Sequence, residues 1–348
     1  MTTSTASTDP TATSAAATPA APATAMAMAH ALNASLRTAM EQDPKIMLLG
    51  LDIGELGGVF RVTDGLHKDF GADRVVTSPL GEAGIVGSAI GLAMAGYRPV
   101  CEIQFDGFSF PAMNQIVTQL AKYRHRSEGA VTLPVVIRIP VGGGIGAVEH
   151  HSESPEAYFS HTPGLRVVCP SNAQDAYDML GQAIACNDPV IFLEPKRSYW
   201  AKSAVNTDPS REVRPLDAAA IVRPGRDLTI VTYGALVPVA LQAADALAEE
   251  GREVEVIDLR SIAPIDDQTL LESARRTGRV VIAHEASGTG GIGGELAARI
   301  QAGAFYDLEA PVLRVTGYDT PYPASRLEED WLPNADRILD ACDQSLAY

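Results

Sequence analysis

Cysteine is scarce. Cys101, Cys169, Cys186 and Cys342 are the only four in 348 residues, and no two of them form a CxxC pair. That spacing argues against a disulfide framework and a zinc site, and suits small apolar side chains in a reducing compartment. Positive charge is also short: Asp and Glu number 43 against 27 Lys and Arg, for a formal net charge of -16. An acidic balance of that size argues against nucleic acid or an anionic membrane as a partner, while a local cluster could still bind an anionic small molecule. No apolar run approaches the ~20 residues of a membrane-spanning helix. On these grounds the chain is expected to be cytoplasmic.

What is present suffices for two cores. A length of 348 residues with 46% hydrophobic content fits two domains of ordinary size. Residues 1–27 stand apart. Through Thr24 they are a run of Ala, Thr, Ser and Pro with Asp9 as the only charge, lacking the basic start of a secretion signal and the arginines of an organellar presequence. A disordered tail is expected there. From residue 28 onward strand and helix alternate, which predicts a largely parallel sheet with helical crossovers. Met28, Leu32, Leu36 and Met40 recur in steps of four and predict the first helix. Strands are expected at 46–53, 75–77, 100–105, 133–139, 165–168 and 189–193, with helices at 110–124 and 173–185. The polar, proline-bearing stretch 206–225 breaks the rhythm and reads as a linker. Residues 226–348 then form a smaller α/β domain, with strands at 228–233, 253–259, 280–283 and 311–315 and a helix at 237–249.

Three clusters could carry chemistry. In the first, the carboxylate of Glu82 follows a short strand and opens a helix over 83–95. Gly84, Gly87, Ser88, Gly91 and Ala95 leave one face of that helix almost bare. Phe108 lies beyond the next strand. A carboxylate and an aromatic at adjacent strand exits suit a planar, cationic or protonatable ligand, since ligands in such sheets sit beyond the carboxyl ends of the strands. Tight helix packing with a capping Glu suits the same residues, and both readings stand. The second cluster follows strand 133–139. There Gly142, Gly143, Gly144 and Gly146 form a pliant loop presenting Glu149, His150 and His151, with His125 and His161 nearby in sequence. Imidazoles can move protons near neutral pH. They could equally cap the next helix, while a metal reading needs convergent ligands that adjacent histidines do not supply. The third cluster, SGTGGIGGE from Ser287 to Glu295, opens a helix like a phosphate loop but lacks the Gly-Lys-Ser/Thr ending. Tight packing or a subunit contact suits it better.

The phrases GGVFRVTDGL, PLGEAGIVG, HHSESPEAYFSHTPGL and EAPVLRVTGYDTPYP, spread from Gly57 to Pro323, resemble the beta subunit of the thiamine-diphosphate-dependent decarboxylase component of 2-oxo acid dehydrogenase complexes. The resemblance covers nearly everything from Ala31 to Tyr348, and its wording is most similar to the branched-chain member, with the pyruvate member as the near relative. It implies a transketolase-like pyrimidine-binding domain over 28–205 and a smaller transketolase-like C-terminal domain over 226–348. Glu82 matches the carboxylate that hydrogen-bonds the pyrimidine nitrogen of thiamine diphosphate, Phe108 the aromatic that packs on that ring, and His151 the histidine that handles intermediates and supports acyl transfer to lipoyl. Leu51 stands where several relatives carry a glutamate, which leaves Asp52 as the neighbouring match near the pyrimidine.

The family holds Mg2+ and the cofactor's diphosphate on a Gly-Asp-Gly motif followed downstream by Asn, in the alpha subunit. No such motif occurs here, so no metal ligand is assigned to this chain. An alpha2beta2 heterotetramer is implied, with the cofactor at the alpha–beta interface and the lipoyl acyltransferase core docking on the C-terminal domain. A structural K+ on loop carbonyls around Val135 and the Ala183 to Asp188 turn is a further implication. Set against this enzyme-subunit reading are a self-sufficient thiamine enzyme resembling transketolase and a non-catalytic two-domain scaffold.

Overall fold

The computed structural model describes residues 23–348. The first-half strands are β1 (Thr24–Ala27), β2 (Ile46–Gly50), β3 (Val75–Thr77), β4 (Arg98–Glu102), β5 (Val136–Val141), β6 (Arg166–Val168), β7 (Val190–Pro195) and β8 (Lys202–Val205). The second half supplies β9 (Ala220–Arg223), β10 (Leu228–Thr232), β11 (Val254–Asp258), β12 (Ser261–Ala263), β13 (Val280–Ser287) and β14 (Leu313–Gly317). Seven strands form one sheet in the order β12-β6-β7-β5-β4-β2-β3, and five form another in the order β14-β13-β10-β11-β9. Pairing is parallel throughout the first sheet except where β12 meets β6, and throughout the second except where β9 meets β11. Every residue of β5, β7, β10 and β11 is buried. That explains their continuous apolar runs: crossover helices cover both faces of a parallel sheet.

The Met28–Gln42 helix buries Met28, Leu32, Leu36 and Met40 against one face of the first sheet, beside the Ala173–Ala185 helix. On the second sheet's outer face the Val237–Glu249 and Ala335–Leu346 helices share a core with β10 and β13. Between the sheets lies a single continuous cluster. It joins Ile137, Ile139, Ile191 and Leu193 of the first unit to Val231, Ile257, Ile282 and Leu296 of the second.

Several expected boundaries move. Residues 24–27 belong to a strand, not a tail: β1 pairs antiparallel with β8, Thr24 opposite Val205 and Ala27 opposite Lys202. The rest of the expected tail, residues 1–22, lies outside the described residues. The expected linker 206–225 is strand at its end, because Ile221 and Val222 are β-branched and β11 offers an unpaired edge. The expected helix over 110–124 is instead a 3-10 turn over Asp106–Ala112, a π-helical stretch over Asn114–Leu120 and an α-turn over Ala121–Arg126. Pro111 falls inside the 3-10 stretch, and the helical path continues beyond it with changed winding. The bare face of the Glu82–Met94 helix is exposed, with no atom within 4 Å of a Cβ built on Gly84 or Gly91.

Candidate active site

The residues singled out by sequence lie beyond the carboxyl ends of successive parallel strands: Asp52 after β2, Glu82 after β3, Phe108 after β4 and His151 after β5. That is the edge at which such sheets bind ligands. Glu82 is the first residue of its helix and is 9% exposed. Among the described residues none hydrogen-bonds or ion-pairs with its carboxylate. Asp52 sits in a left-handed turn at φ 59, a conformation that Asp tolerates better than most residues. Its carboxylate accepts from Gln104 Nε2 at 3.2 Å.

Aromatic rings build the next part of the site. Phe105 stacks edge-on against Phe60, Phe108 and His151, with centroids 5.6, 5.9 and 4.0 Å apart. Phe108 meets His151 at 5.2 Å, and His150 lies 4.3 Å from His151. His151 Nδ1 is closed off from solvent and has no hydrogen-bond partner among the described residues. Burial, then His150, holds this imidazole below its ordinary pKa; Lys196 acts the same way, while Asp106 and Glu149 oppose. His125 and His161 do not join the group: His125 lines a groove with Arg124 and Arg166, and His161 faces a cleft toward the second domain. Among the described residues, no hydrogen bond or ring contact joins Glu82 to Phe108, Asp52 or His151. The Glu82 helix instead packs beside the turn that carries Phe108, and both helix and turn feed the shared core.

Charged residues that sequence reasoning missed lie beneath and beside the rings. Lys196 Nζ and Asp106 Oδ1 form a fully buried pair at 2.6 Å. Burial pushes the carboxyl up and the ammonium down, each against its partner's pull. Asp106 Oδ2 also accepts from the Glu153 N–H at 2.7 Å, two residues beyond His151. Deeper still, the Arg138 guanidinium bridges Glu194 and Glu102, and the Tyr199 hydroxyl donates to Glu194 at 2.6 Å. A charged residue inside an apolar strand, such as Arg138 in VIRIPV, is the one signal that could have revealed this network, because such a charge needs a buried partner.

The glycine loop is hydrogen-bonded to the second domain. Gly143 N–H donates to Glu285, and Gly144 and Gly146 donate to the two oxygens of Glu328 at 2.8 and 2.9 Å. A row of loop amides is an anion nest, and here the second domain's carboxylates fill it. The SGTGGIGGE turn packs tightly: a Cβ on Gly293 would come within 2.6 Å of His284 Nε2. At the turn expected to hold K+, the Ile184 and Cys186 carbonyls accept from Arg98, and the Val135 carbonyl from Val190.

A free, nearly buried carboxylate, an orphaned imidazole nitrogen and a cluster of aromatic rings fit an aminopyrimidine, which presents ring nitrogens and a flat face. The filled nest offers nothing to a diphosphate. When bound, thiamine diphosphate supplies the electron sink for decarboxylation. A carboxylate such as Glu82 can exchange a proton with a ring nitrogen, and an imidazole such as His151 can exchange one near neutral pH.

Known proteins agree with this architecture. Residues 24–201 match the family "Transketolase, pyrimidine binding domain" and residues 217–338 match "Transketolase, C-terminal domain". In fold the chain is similar to a solved split-gene transketolase described as an inactive beta4 tetramer. That similarity has TM-score 0.74 at 24% identity, over 92% of this chain and 98% of that one. A pyruvate dehydrogenase E1 component subunit beta from Leifsonia xyli subsp. xyli is 61% identical over 92% of this chain and 95% of its own length. A 3-methyl-2-oxobutanoate dehydrogenase subunit beta from Mycobacterium tuberculosis is 53% identical over 92% of each. The fold is therefore that of the transketolase-like enzymes, a pyrimidine-binding domain followed by the C-terminal domain. Among these, the chain belongs to the beta subunits of the 2-oxo acid dehydrogenase decarboxylase component, which work with an alpha subunit. The expected lean toward the branched-chain member is not what the relatives give, since the pyruvate relative is the more similar of the two.

Proposed function

We propose that this chain is the beta subunit of an acetyl-transferring pyruvate dehydrogenase. The observation that carries the choice of substrate is the 61% identity to a pyruvate dehydrogenase beta subunit, against 53% for a 3-methyl-2-oxobutanoate relative. In this reading Glu82 holds the proton at the cofactor's pyrimidine nitrogen, Phe108 packs on that ring, Asp52 borders it, and His151 serves proton transfer during decarboxylation and acyl transfer to lipoyl. The alpha subunit contributes the diphosphate and Mg2+ ligands and completes an alpha2beta2 tetramer at the cytoplasmic acyltransferase core. The proposed division into domains keeps 28–205 and 226–348 as its cores, with β1 added to the first and β9 to the second. A structural K+ at the 183–188 turn belongs to the same proposal, and would have to share or displace the Arg98 guanidinium on the Ile184 and Cys186 carbonyls.

The branched-chain reading retains the phrases PLGEAGIVG and HHSESPEAYFSHTPGL in its favour. A methylene or two in an apolar pocket shifts discrimination by only ~1–3 kcal/mol each, and the alpha subunit completes the wall. Lys196 cannot serve the substrate carboxylate, being buried against Asp106. The test is to purify the chain with its alpha partner and compare kcat/KM for pyruvate and 3-methyl-2-oxobutanoate by CO2 release. A higher value for pyruvate is expected. A higher value for the branched substrate would reverse the assignment.

A further inference from the structure

The His151 ring makes no hydrogen bond to any described residue, so its packing on Phe105 and Phe108 and the path of its backbone place it. That backbone is one closed excursion: the Gly142 N–H donates to the Glu153 carbonyl at 2.8 Å, tying both ends of residues 142–153 together. Asp106 holds the base of the excursion through the Glu153 N–H. Four glycines lie in its first arm, and three of them, Gly142, Gly144 and Gly146, have positive φ. An unrestrained arm this rich in glycine would lose much conformational entropy on ordering, since glycine loses more than any other residue.

The restraint comes from the other domain. Glu328 is 8% exposed and receives three donors: Gly144 N–H, Gly146 N–H and the Tyr322 hydroxyl at 2.6 Å. Glu285, whose Oε2 lies 3.5 Å from Arg197 Nη2, takes the Gly143 N–H. The loop lies flat on these groups. A Cβ on Gly143 would run into the Tyr322 hydroxyl, and one on Gly144 would lie 2.8 Å from Arg197 Cδ.

We propose that Glu328 is a positioning residue for His151: with Tyr322 and Glu285 it clamps the 142–146 arm to the C-terminal domain and so fixes the imidazole between Phe105 and Phe108. The proposal rests on the reading of His151 as the group that moves protons. It makes the second domain part of the catalytic geometry, not merely a lid on the shared core.

The test uses the enzyme assembled with its alpha partner and carries Glu328→Ala, Glu328→Gln, Tyr322→Phe and His151→Ala, with Glu328→Ala also made in the His151→Ala background. Glu328→Ala is expected to speed amide hydrogen exchange across 142–148 and to lower kcat about tenfold to a hundredfold, with KM nearly unchanged. Gln keeps one acceptor and should fall between Ala and the native chain. In the His151→Ala background Glu328→Ala should cost nothing more. Release of the arm should also move the acidic limb of the pH–rate profile toward the ordinary imidazole value, as the imidazole changes its position relative to His150, Glu149, Asp106 and Lys196.

Faster exchange with kcat within about twofold of native would overturn the proposal, as would a full, multiplicative loss in the His151→Ala background. Normal turnover in His151→Ala would instead remove the reading beneath it, while the exchange data would still report whether the arm had been clamped. Tyr322→Phe keeps the fold and removes one donor. If Glu328→Ala does not assemble, a several-fold fall in kcat with faster exchange in Tyr322→Phe supports the clamp, and native behaviour overturns it.

Discussion

Two carboxylates at the same sheet edge face opposite fates. Asp106 is fully buried but engaged by Lys196 and the Glu153 N–H, so it is structural. Glu82 is 9% exposed and engaged by nothing among the described residues, so its carboxylate is left free for a ligand. Glu82→Gln should therefore leave assembly with the alpha subunit intact and lower decarboxylation by about a hundredfold or more, because Gln can accept a hydrogen bond but cannot carry the proton. Turnover of 2-oxo acid by the purified tetramer checks this, and near-native rates would remove Glu82 from the chemistry. The positions of Glu82, Phe108, Asp52 and His151 beyond strand ends were legible because each follows a short apolar strand. Lys196 was not, because its partner lies 90 residues away, nor was Glu328, which reaches Gly144 across 184 residues. Side-chain pairing at such separations leaves no local periodicity.

Elements with strong internal periodicity appear where the sequence put them. The helices Ala173–Ala185 and Val237–Glu249 start and stop as expected. Elements defined by a partner do not: β1 exists because β8 is there, and β9 because β11 has an open edge. The short Glu156–Ser160 helix is another such case. It docks its first residue against the end of β10, where the Tyr233 hydroxyl donates to Glu156 at 2.5 Å. Burial pushes the Glu156 carboxyl up to about 7, a rise that Tyr233 opposes and Glu285 assists. The unfolded chain would release this proton near pH 4.5, so the folded state holds it over the interval between. Folding then binds a proton there, and stability falls as pH rises from about 4.5 through 7. Burial places the Asp258 carboxyl at about 7 as well, so it adds to the same slope. Glu156→Gln keeps an acceptor for Tyr233 and has no proton to lose. It should match the native chain near pH 4.5 and exceed it at pH 8 by on the order of 3 kcal/mol, at about 1.4 kcal/mol for each pH unit between the folded and unfolded values. Denaturant unfolding at both pH values measures the difference, and an equal gap at both would show that Glu156 does not titrate in this range.

At the scale of the whole molecule, the expected division into two α/β domains meets a topology that crosses it. Residues Ser261–Ala263 belong by sequence to the second unit, yet as β12 they close the edge of the first sheet on β6. The Cys169 N–H donates to the Arg260 carbonyl at 2.8 Å, and Arg260 is itself fully buried, its side chain reaching Asp175 and the carbonyls of Pro215 and Ala218. The cluster between the sheets draws on both units. Each half thus lacks surface that the other covers, and an apolar face left open costs roughly 25 cal/mol per Å2. A chain ended at residue 225 would lose β12, the clamp on the glycine loop and one wall of that cluster, and would leave β6 an unpaired edge open to association. Such a fragment is expected to aggregate, or to unfold without a cooperative transition, while the full chain unfolds cooperatively. Near-UV circular dichroism and sedimentation of the 23–225 fragment check this. A monomeric fragment with a native-like near-UV spectrum and a sharp thermal transition would show that the first domain is complete without the second.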